Sequence, residues 1–205
     1  MFRDRTDAGA QLADAIAARN LEPTIVLAIP RGGLPLGRAV ADRFDAPLDV
    51  VVAKKIGAPN NPELALAAVA EDGSVWRNDK LIAQLGVGED YIESERDRIG
   101  DEASQKAKRY REAPLPALSG ERVAVVDDGI ATGATMRACL ARVRAAAPEQ
   151  LIVGVPVGPR ETIEEIEASA DAVVCVETPG AFSAVGAYYR NFAQVSDEEA
   201  MTYLQ

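Results

Sequence analysis

At 205 residues, with 48% hydrophobic and 26% charged side chains, the chain has a globular composition and enough length for a substantial core. A formal charge of -10 excludes a broad basic footprint for nucleic acid, and no apolar run approaches the ~20 residues of a membrane span. The absence of histidine removes imidazole bases and the common zinc sites, which leaves carboxylates, lysines, backbone amides or a carboxylate-bound hard metal such as magnesium for any chemistry.

In chain order, the opening MFRDRTDAGAQ lacks the apolar core of a secretory signal, and Asp7 to Arg19 forms an alanine-rich helix. Thr24 to Ile29 (TIVLAI) reads as a strand, followed by the turn Ile29-Pro30-Arg31-Gly32-Gly33 and a helix over Leu34 to Phe44. A second strand spans Leu48 to Ala53, with Lys54 and Lys55 at its exit in a chain that has only five lysines. Residues 56–116 then break the rhythm as an insertion. IGAPNNPE is turn-rich, LALAAVAEDGSVWRN reads as two short strands around Asp72-Gly73, and Glu89 to Arg111 is a charged helix with a narrow apolar stripe and an otherwise solvated surface. Strands at Arg122 to Val126, Leu151 to Val155 and Asp171 to Val176 alternate with helices at Thr135 to Ala146 and Glu161 to Ala170. Cys139 and Cys175 sit singly in these apolar segments, as expected in a reducing cytoplasm. The tail carries Phe182, Tyr188, Tyr189 and Phe192, and closes with a capping box at Ser196 to Glu199. Strands apolar on both faces and alternating with helices predict an α/β fold, a doubly wound parallel sheet within one domain over 1–205.

The most specific string is Val123 to Met136, VAVVDDGIATGATM. A strand end in an open parallel sheet faces the ligand crevice, and a helix start behind a Gly/Thr turn offers free amides and a positive dipole end to phosphate. Thr132, Gly133, Ala134 and Thr135 are therefore expected to cradle a phosphate. Asp127 and Asp128 suit vicinal sugar hydroxyls and a nearby divalent metal. A sugar phosphate satisfies both halves, and neither GxxxxGK[ST] nor GxGxxG is present.

This string resembles the phosphoribosyl pyrophosphate (PRPP) loop of the type I phosphoribosyltransferases. The resemblance implies PRPP contacts from Asp127, Asp128, Gly129, Ala131, Thr132, Gly133, Ala134 and Thr135, with magnesium on Asp127 and Asp128 directly or through water. It identifies Arg31, Gly32 and Gly33 with the family's pyrophosphate loop and Lys54 and Lys55 with its phosphate-contacting basic residues, one of which points away because neighbouring strand residues face opposite sides. Asp127, Asp128, Lys54 and Lys55 are then the catalytic set. The segment IGAPNNPELALAAVAEDG is similar to the mobile catalytic loop, and 177–195 to the hood, where Phe182, Tyr188 or Tyr189 would stack on a base or else form a small core. The FRDRTDAG start, IPRGG turn, NPELA segment and AVGAYYRNF tail are also similar to a bacterial and archaeal branch of predicted phosphoribosyltransferases, a likeness that supplies no acceptor.

What the family resemblance implies is magnesium-dependent transfer of ribose 5-phosphate from PRPP to a nitrogen nucleophile, a nucleobase or another amine, with release of pyrophosphate. Cytoplasmic location, no nucleic-acid or membrane partner, and room for a homodimer go with it. A non-catalytic PRPP- or nucleotide-binding regulator is the alternative from another class, and a general sugar-phosphate binder a third. Where 6-oxopurine members carry an acid before the Thr-Gly, this chain has Ala131, so hypoxanthine and guanine are expected to be poor acceptors.

Overall fold

Aliphatic strands with no polar face can only be buried from both sides, and that requirement shapes the centre of the molecule. The computed structural model describes residues 1–111 and 113–205. Its main sheet is parallel, built from β1 (Ile25–Ala28), β2 (Leu48–Val50), β6 (Arg122–Val126), β7 (Gln150–Val157) and β8 (Ala172–Glu177) in the order β2-β1-β6-β7-β8. Successive side chains alternate between two cores. Val26, Ala124 and Ile152 pack with Leu12 and Ile16 of α1 (Arg5–Ala18) and Leu36 and Val40 of α2 (Gly33–Phe44). Leu27, Val125 and Val153 pack with Met136, Leu140 and Val143 of α5 (Ala134–Ala145). The α/β doubly wound expectation holds, with α6 shorter than predicted, at Arg160–Glu167.

The predicted strand Leu48 to Ala53 divides. After Val50 the chain leaves the parallel sheet, and Ala53 opens β3 (Ala53–Ala58) of a separate antiparallel sheet with β4 (Asn61–Ala70) and β5 (Val75–Arg77). The departure is pinned at Val52, whose N–H donates to the Glu71 carboxylate at 3.1 Å while its carbonyl accepts from Glu71 N–H at 2.9 Å. The turn-rich IGAPNNPE is largely strand: Ala58 pairs with Asn61 around a Pro59-Asn60 tip, with a bulge between Ile56 and Ala58. Alanine disfavours strands in isolation, but Ala65, Ala68 and Ala70 are buried against the main core, and burial overrides propensity.

A short helix that the sequence reading omits, α3 (Asp79–Leu85), is capped by Asn78 Oδ1 accepting from Leu81 N–H at 3.1 Å. The next helix, α4 (Glu89–Tyr110), buries the predicted stripe of Ile92, Ile99, Ala103, Ala107 and Tyr110. The tail returns to the first residues: Phe2 N–H donates to the Tyr188 carbonyl at 2.8 Å and Arg190 N–H to the Phe2 carbonyl at 2.9 Å. Ser196 Oγ accepts from Glu199 N–H at 3.0 Å and opens α7 (Asp197–Thr202). Among the described residues no helix is long and apolar enough to cross a membrane.

Candidate functional site

From β1 the chain turns outward to β2, and its next main-sheet strand, β6, lies on the other side of β1. The strand order reverses between β1 and β6, and in an open parallel sheet a crevice forms at the carboxyl ends of two such strands. Ile29 to Gly33 follow β1 there, and Asp127 and Asp128 follow β6. A concavity of about 690 Å³ lined by Asn20, Thr24, Asp42, Asp45 and Arg122 lies instead at the amino ends of β1 and β6.

Asp127 and Asp128 are partly buried. Asp127 Oδ1 accepts from Asp128 N–H at 2.8 Å. Burial, then the neighbouring Asp128 charge, push Asp127 well above the usual carboxylate range. Burial raises Asp128 as well, and the adjacent Arg5 draws it partly back. Arg5, from the first turn of α1, donates from Nε to Asp128 Oδ2 at 2.8 Å and from NH1 to the Ala193 carbonyl at 2.6 Å. Its guanidinium lies 3.9 Å from the centre of the Phe192 ring. Tyr189 Oη donates to the Asp128 carbonyl at 2.6 Å. N-terminal helix and C-terminal tail thus both clasp the second acid.

Behind the acids, Gly129 lies against Val185, and the turn Ala131-Thr132-Gly133 leads into α5. Gly133 has φ +75, which a side chain disfavours, and so aims the turn. Among the described residues the amides of Ala131, Thr132, Gly133, Ala134, Thr135 and Met136 donate no hydrogen bond, whereas Arg137 N–H closes the first helical bond onto the Gly133 carbonyl at 2.9 Å. Consecutive free amides at a helix start bind anions. Thr162 Oγ1 steadies the turn by donating to the Ala131 carbonyl at 3.0 Å.

Opposite, Gly32 has ordinary right-handed helical angles, φ -61 and ψ -31, so unusual dihedrals do not explain it. Close approach does. A Cβ there would overlap the Asp128 carboxylate, and one on Gly33 would come within 2.6 Å of the Val126 carbonyl oxygen. The Pro30-Arg31 peptide is cis, and the amides of Arg31 and Gly32 have no partner among the described residues. Arg31 NH1 lies 3.6 Å from Asp197 of α7.

Lys54 and Lys55 stand on β3, not at the exit of a parallel strand, and diverge as neighbouring strand residues must. Lys54 pairs with Glu102 of α4, and Lys55 turns across the hairpin to Glu63 at 3.5 Å. The turn after β1 receives a cation that the sequence reading assigned to a wet face: Lys106 of α4 donates from Nζ to the Pro30 carbonyl at 2.8 Å. Its position between buried Ala103 and Ala107 was the signal available for it. Arg5 and Asp197 carry no local sequence signal for the site, because each reaches it only through long-range folding.

The tail aromatics divide. Tyr189 is buried, with ring centres 5.4 Å from Phe2 and 4.8 Å from Phe192, so its ring belongs to a core and not to an open platform. Phe182 and Tyr188 stack on each other at 5.6 Å, which leaves each only its outer face.

The family described as Phosphoribosyl transferase domain matches residues 59–190, more than half of the chain. The chain belongs to the phosphoribosyl transferase domain family. A crystal structure of TT1426 from Thermus thermophilus is 43% identical, with a TM-score of 0.84, and the alignment covers all of this chain and 97% of that one. Two Mycobacterium tuberculosis proteins, named "Putative phosphoribosyl transferase Rv0571c" and "Putative phosphoribosyl transferase MT0597", are each 40% identical over 206 residues. This phosphoribosyl transferase domain spans about half the length of the curated relatives it matches, 46% of each.

Proposed function

We propose that the chain transfers ribose 5-phosphate from PRPP to a nitrogen nucleophile and releases pyrophosphate. The observation that carries this reading is the row of amides from Ala131 to Met136, unpartnered among the described residues, next to the Asp127-Asp128 pair, with Gly32 of the unpartnered Arg31-Gly32 turn lying against the Asp128 carboxylate. The 5′-phosphate sits on the α5 amides, where a dianion gains most from the helix start. Asp128, steadied by Arg5 and Tyr189, accepts from the ribose hydroxyls through its remaining lone pairs. The turn from Arg31 to Gly33 receives the pyrophosphate through backbone amides, with Lys54 nearby and Lys55 turned away. As the bond to pyrophosphate breaks, positive charge develops on the ribose ring, and the fixed carboxylates of Asp127 and Asp128 favour it electrostatically.

The acid pair fits magnesium as two adjacent hard-oxygen donors whose mutual repulsion a cation relieves. Among the described residues no group of three or more His, Cys, Asp or Glu is placed to hold a metal, so substrate oxygens would complete the shell, the usual arrangement for magnesium. When bound, magnesium supplies positive charge to offset that of the leaving pyrophosphate.

The acceptor side of the loop carries Ala131, which is exposed and has no proton to exchange, so adenine, another base or a non-purine amine ranks ahead of hypoxanthine and guanine. Outer faces of Phe182 and Tyr188 remain for a flat acceptor. The test is a panel of nucleobases and amines with PRPP and magnesium, following pyrophosphate and nucleotide by chromatography. Transfer to one acceptor, with Asp127→Asn and Asp128→Asn each weakening PRPP binding by about tenfold or more, supports the reading. Rapid transfer to guanine or hypoxanthine would overturn the Ala131 argument, and intact PRPP binding with no transfer to any acceptor would make the chain a PRPP-binding regulator.

A further inference from the structure

We infer that Lys106, carried on the inserted helix α4, is a substrate-binding residue for the pyrophosphate arm of a 1-pyrophosphoryl sugar, acting from the Pro30 side of the β1 turn. The inference rests on the phosphoribosyl-transfer reading of the crevice and adds a group from outside the parallel sheet to it.

Three cations surround the turn after β1, and their partners separate them. Arg31 faces Asp197 at 3.6 Å and Lys54 is paired with Glu102. Lys106 is half-buried, and among the described residues no carboxylate lies within ion-pairing distance of it. Its one assigned partner is the Pro30 carbonyl at 2.8 Å. An ammonium carries three donors, so two are left over. A half-buried charge with no contacting carboxylate is costly, and the cost falls when an anion arrives. Burial, then the Arg31 charge, lower the Lys106 pKa, and the carboxylates of Asp127 and Asp197, beyond ion-pairing distance, offset this only in part.

The placement is imposed by packing. Ala103, Ala107 and Tyr110 hold α4 against the core that contains Ala28, Leu34 and Val50 around β1, α2 and β2. Glu102, one turn before Lys106, fixes Lys54 to the same helix. The bond to Pro30 then sets the ammonium at the carbonyl preceding the free amides of Arg31 and Gly32. Side-chain charge and backbone donors converge on one turn, which suits a multiply charged phosphate more than a hydroxyl.

The experiment compares wild type, Lys106→Met and Lys106→Arg by titration calorimetry with PRPP, inorganic pyrophosphate and ribose 5-phosphate, each with magnesium. Methionine keeps the apolar stem and removes the charge. The expected result is a loss of tenfold or more in PRPP and pyrophosphate affinity for Lys106→Met, a change under twofold for ribose 5-phosphate, and recovery of most of the loss in Lys106→Arg. A purely structural lysine would lower all three ligands alike, and that pattern overturns the inference. So does unchanged PRPP affinity in Lys106→Met. Should wild type bind pyrophosphate but not PRPP, the phosphoribosyl reading falls while a Lys106-dependent anion site stands; binding of neither overturns both. Wild-type protein gives a second readout that needs no variant. Pyrophosphate with magnesium should protect Lys106 from acetylation, read by mass spectrometry, while exposed Lys80 and Lys108 stay labelled, and equal labelling of Lys106 with and without ligand refutes the assignment.

Discussion

Arg5 and Asp128 stand 123 positions apart in the chain and meet at 2.8 Å, with the guanidinium held between the acid, the Ala193 carbonyl and the Phe192 ring. Arg5 is 11% exposed, which makes this pair more than a surface contact. It positions the acid that the proposed mechanism assigns to ribose.

Arg5→Ala should therefore weaken PRPP binding about tenfold and cost about 1.5 to 3 kcal/mol of stability, because a charge-assisted bond is lost and Asp128 is left unpartnered on that side. Arg5→Lys should recover part of the stability but less of the binding, since an ammonium cannot reproduce the planar fork. Calorimetric titration and thermal melts on the same samples separate the two effects. Full PRPP affinity in Arg5→Ala would remove Arg5 from the site.

Gly32→Ala should abolish PRPP binding, because the added methyl would enter the space of the Asp128 carboxylate. Gly73, in the β4-β5 turn at φ +86 with nothing within 4 Å of a built Cβ, is the control. There the substitution should cost only about 1 kcal/mol, through backbone strain. Equal binding by the two variants would show that the close approach at Gly32 is dispensable.

Stability should fall as pH rises above about 9. Burial pushes the Cys175 thiol up to about 11 and the Cys139 thiol well above its ordinary value. An unfolded thiol releases its proton near pH 8.5 to 9, so over the interval up to about 11 the unfolded state binds fewer protons and the folded state loses ground. The Cys175 share, from its rise to about 11, is on the order of 3 kcal/mol. Cys175→Ala should flatten its part of the decline in denaturant midpoints measured from pH 8 to 11. A decline identical to wild type would assign the effect to other groups.

Residues 56–73 resemble a mobile loop, but β4 from Ala65 to Ala70 is fully packed, so any lid movement is expected to be confined to the exposed tip around Pro59, Asn60 and Asn61. Limited proteolysis of the free protein should cut between Ala58 and Leu64, not between Ala65 and Glu71, and PRPP with magnesium should slow the cut if the tip closes over ligand. Cleavage inside Ala65 to Ala70 would contradict the packed strand. Ligand-independent cleavage at the tip would make the hairpin a fixed insertion.

Local chemistry was legible wherever neighbouring residues decide it. Val123 to Met136 shows its strand, acids, turn and helix start in one uninterrupted string, because a β-to-α connection is short and its amides, glycine and carboxylates lie within ten residues of each other. The same holds for the five aliphatic runs that cannot be half-exposed, the stripe from Ile92 to Tyr110, and the Ser196 cap. Leu64 to Ala70 is the strand its sequence suggests, but local composition failed at Asn61 to Glu63, where Asn and Pro signal a turn and the structure extends β4 back to Asn61. It also failed at Val51 and Val52, whose aliphatic character continues the run while Glu71, 19 residues on, draws the backbone into a second sheet.

The partners of the site residues emerge only once the chain has folded. Arg5 on Asp128, Lys106 on Pro30, Asp197 beside Arg31 and Tyr189 on Asp128 join positions 61 to 166 residues apart, and nothing in a local pattern specifies such pairs. Each depends on where a helix or the tail docks, which is set by the burial of entire apolar faces. Sheet, helices and anion-binding turn could be read from the residues in order because they follow from period, backbone dihedrals and composition. Which charges reach that turn could not, because side chains from separate elements meet only after the core has packed.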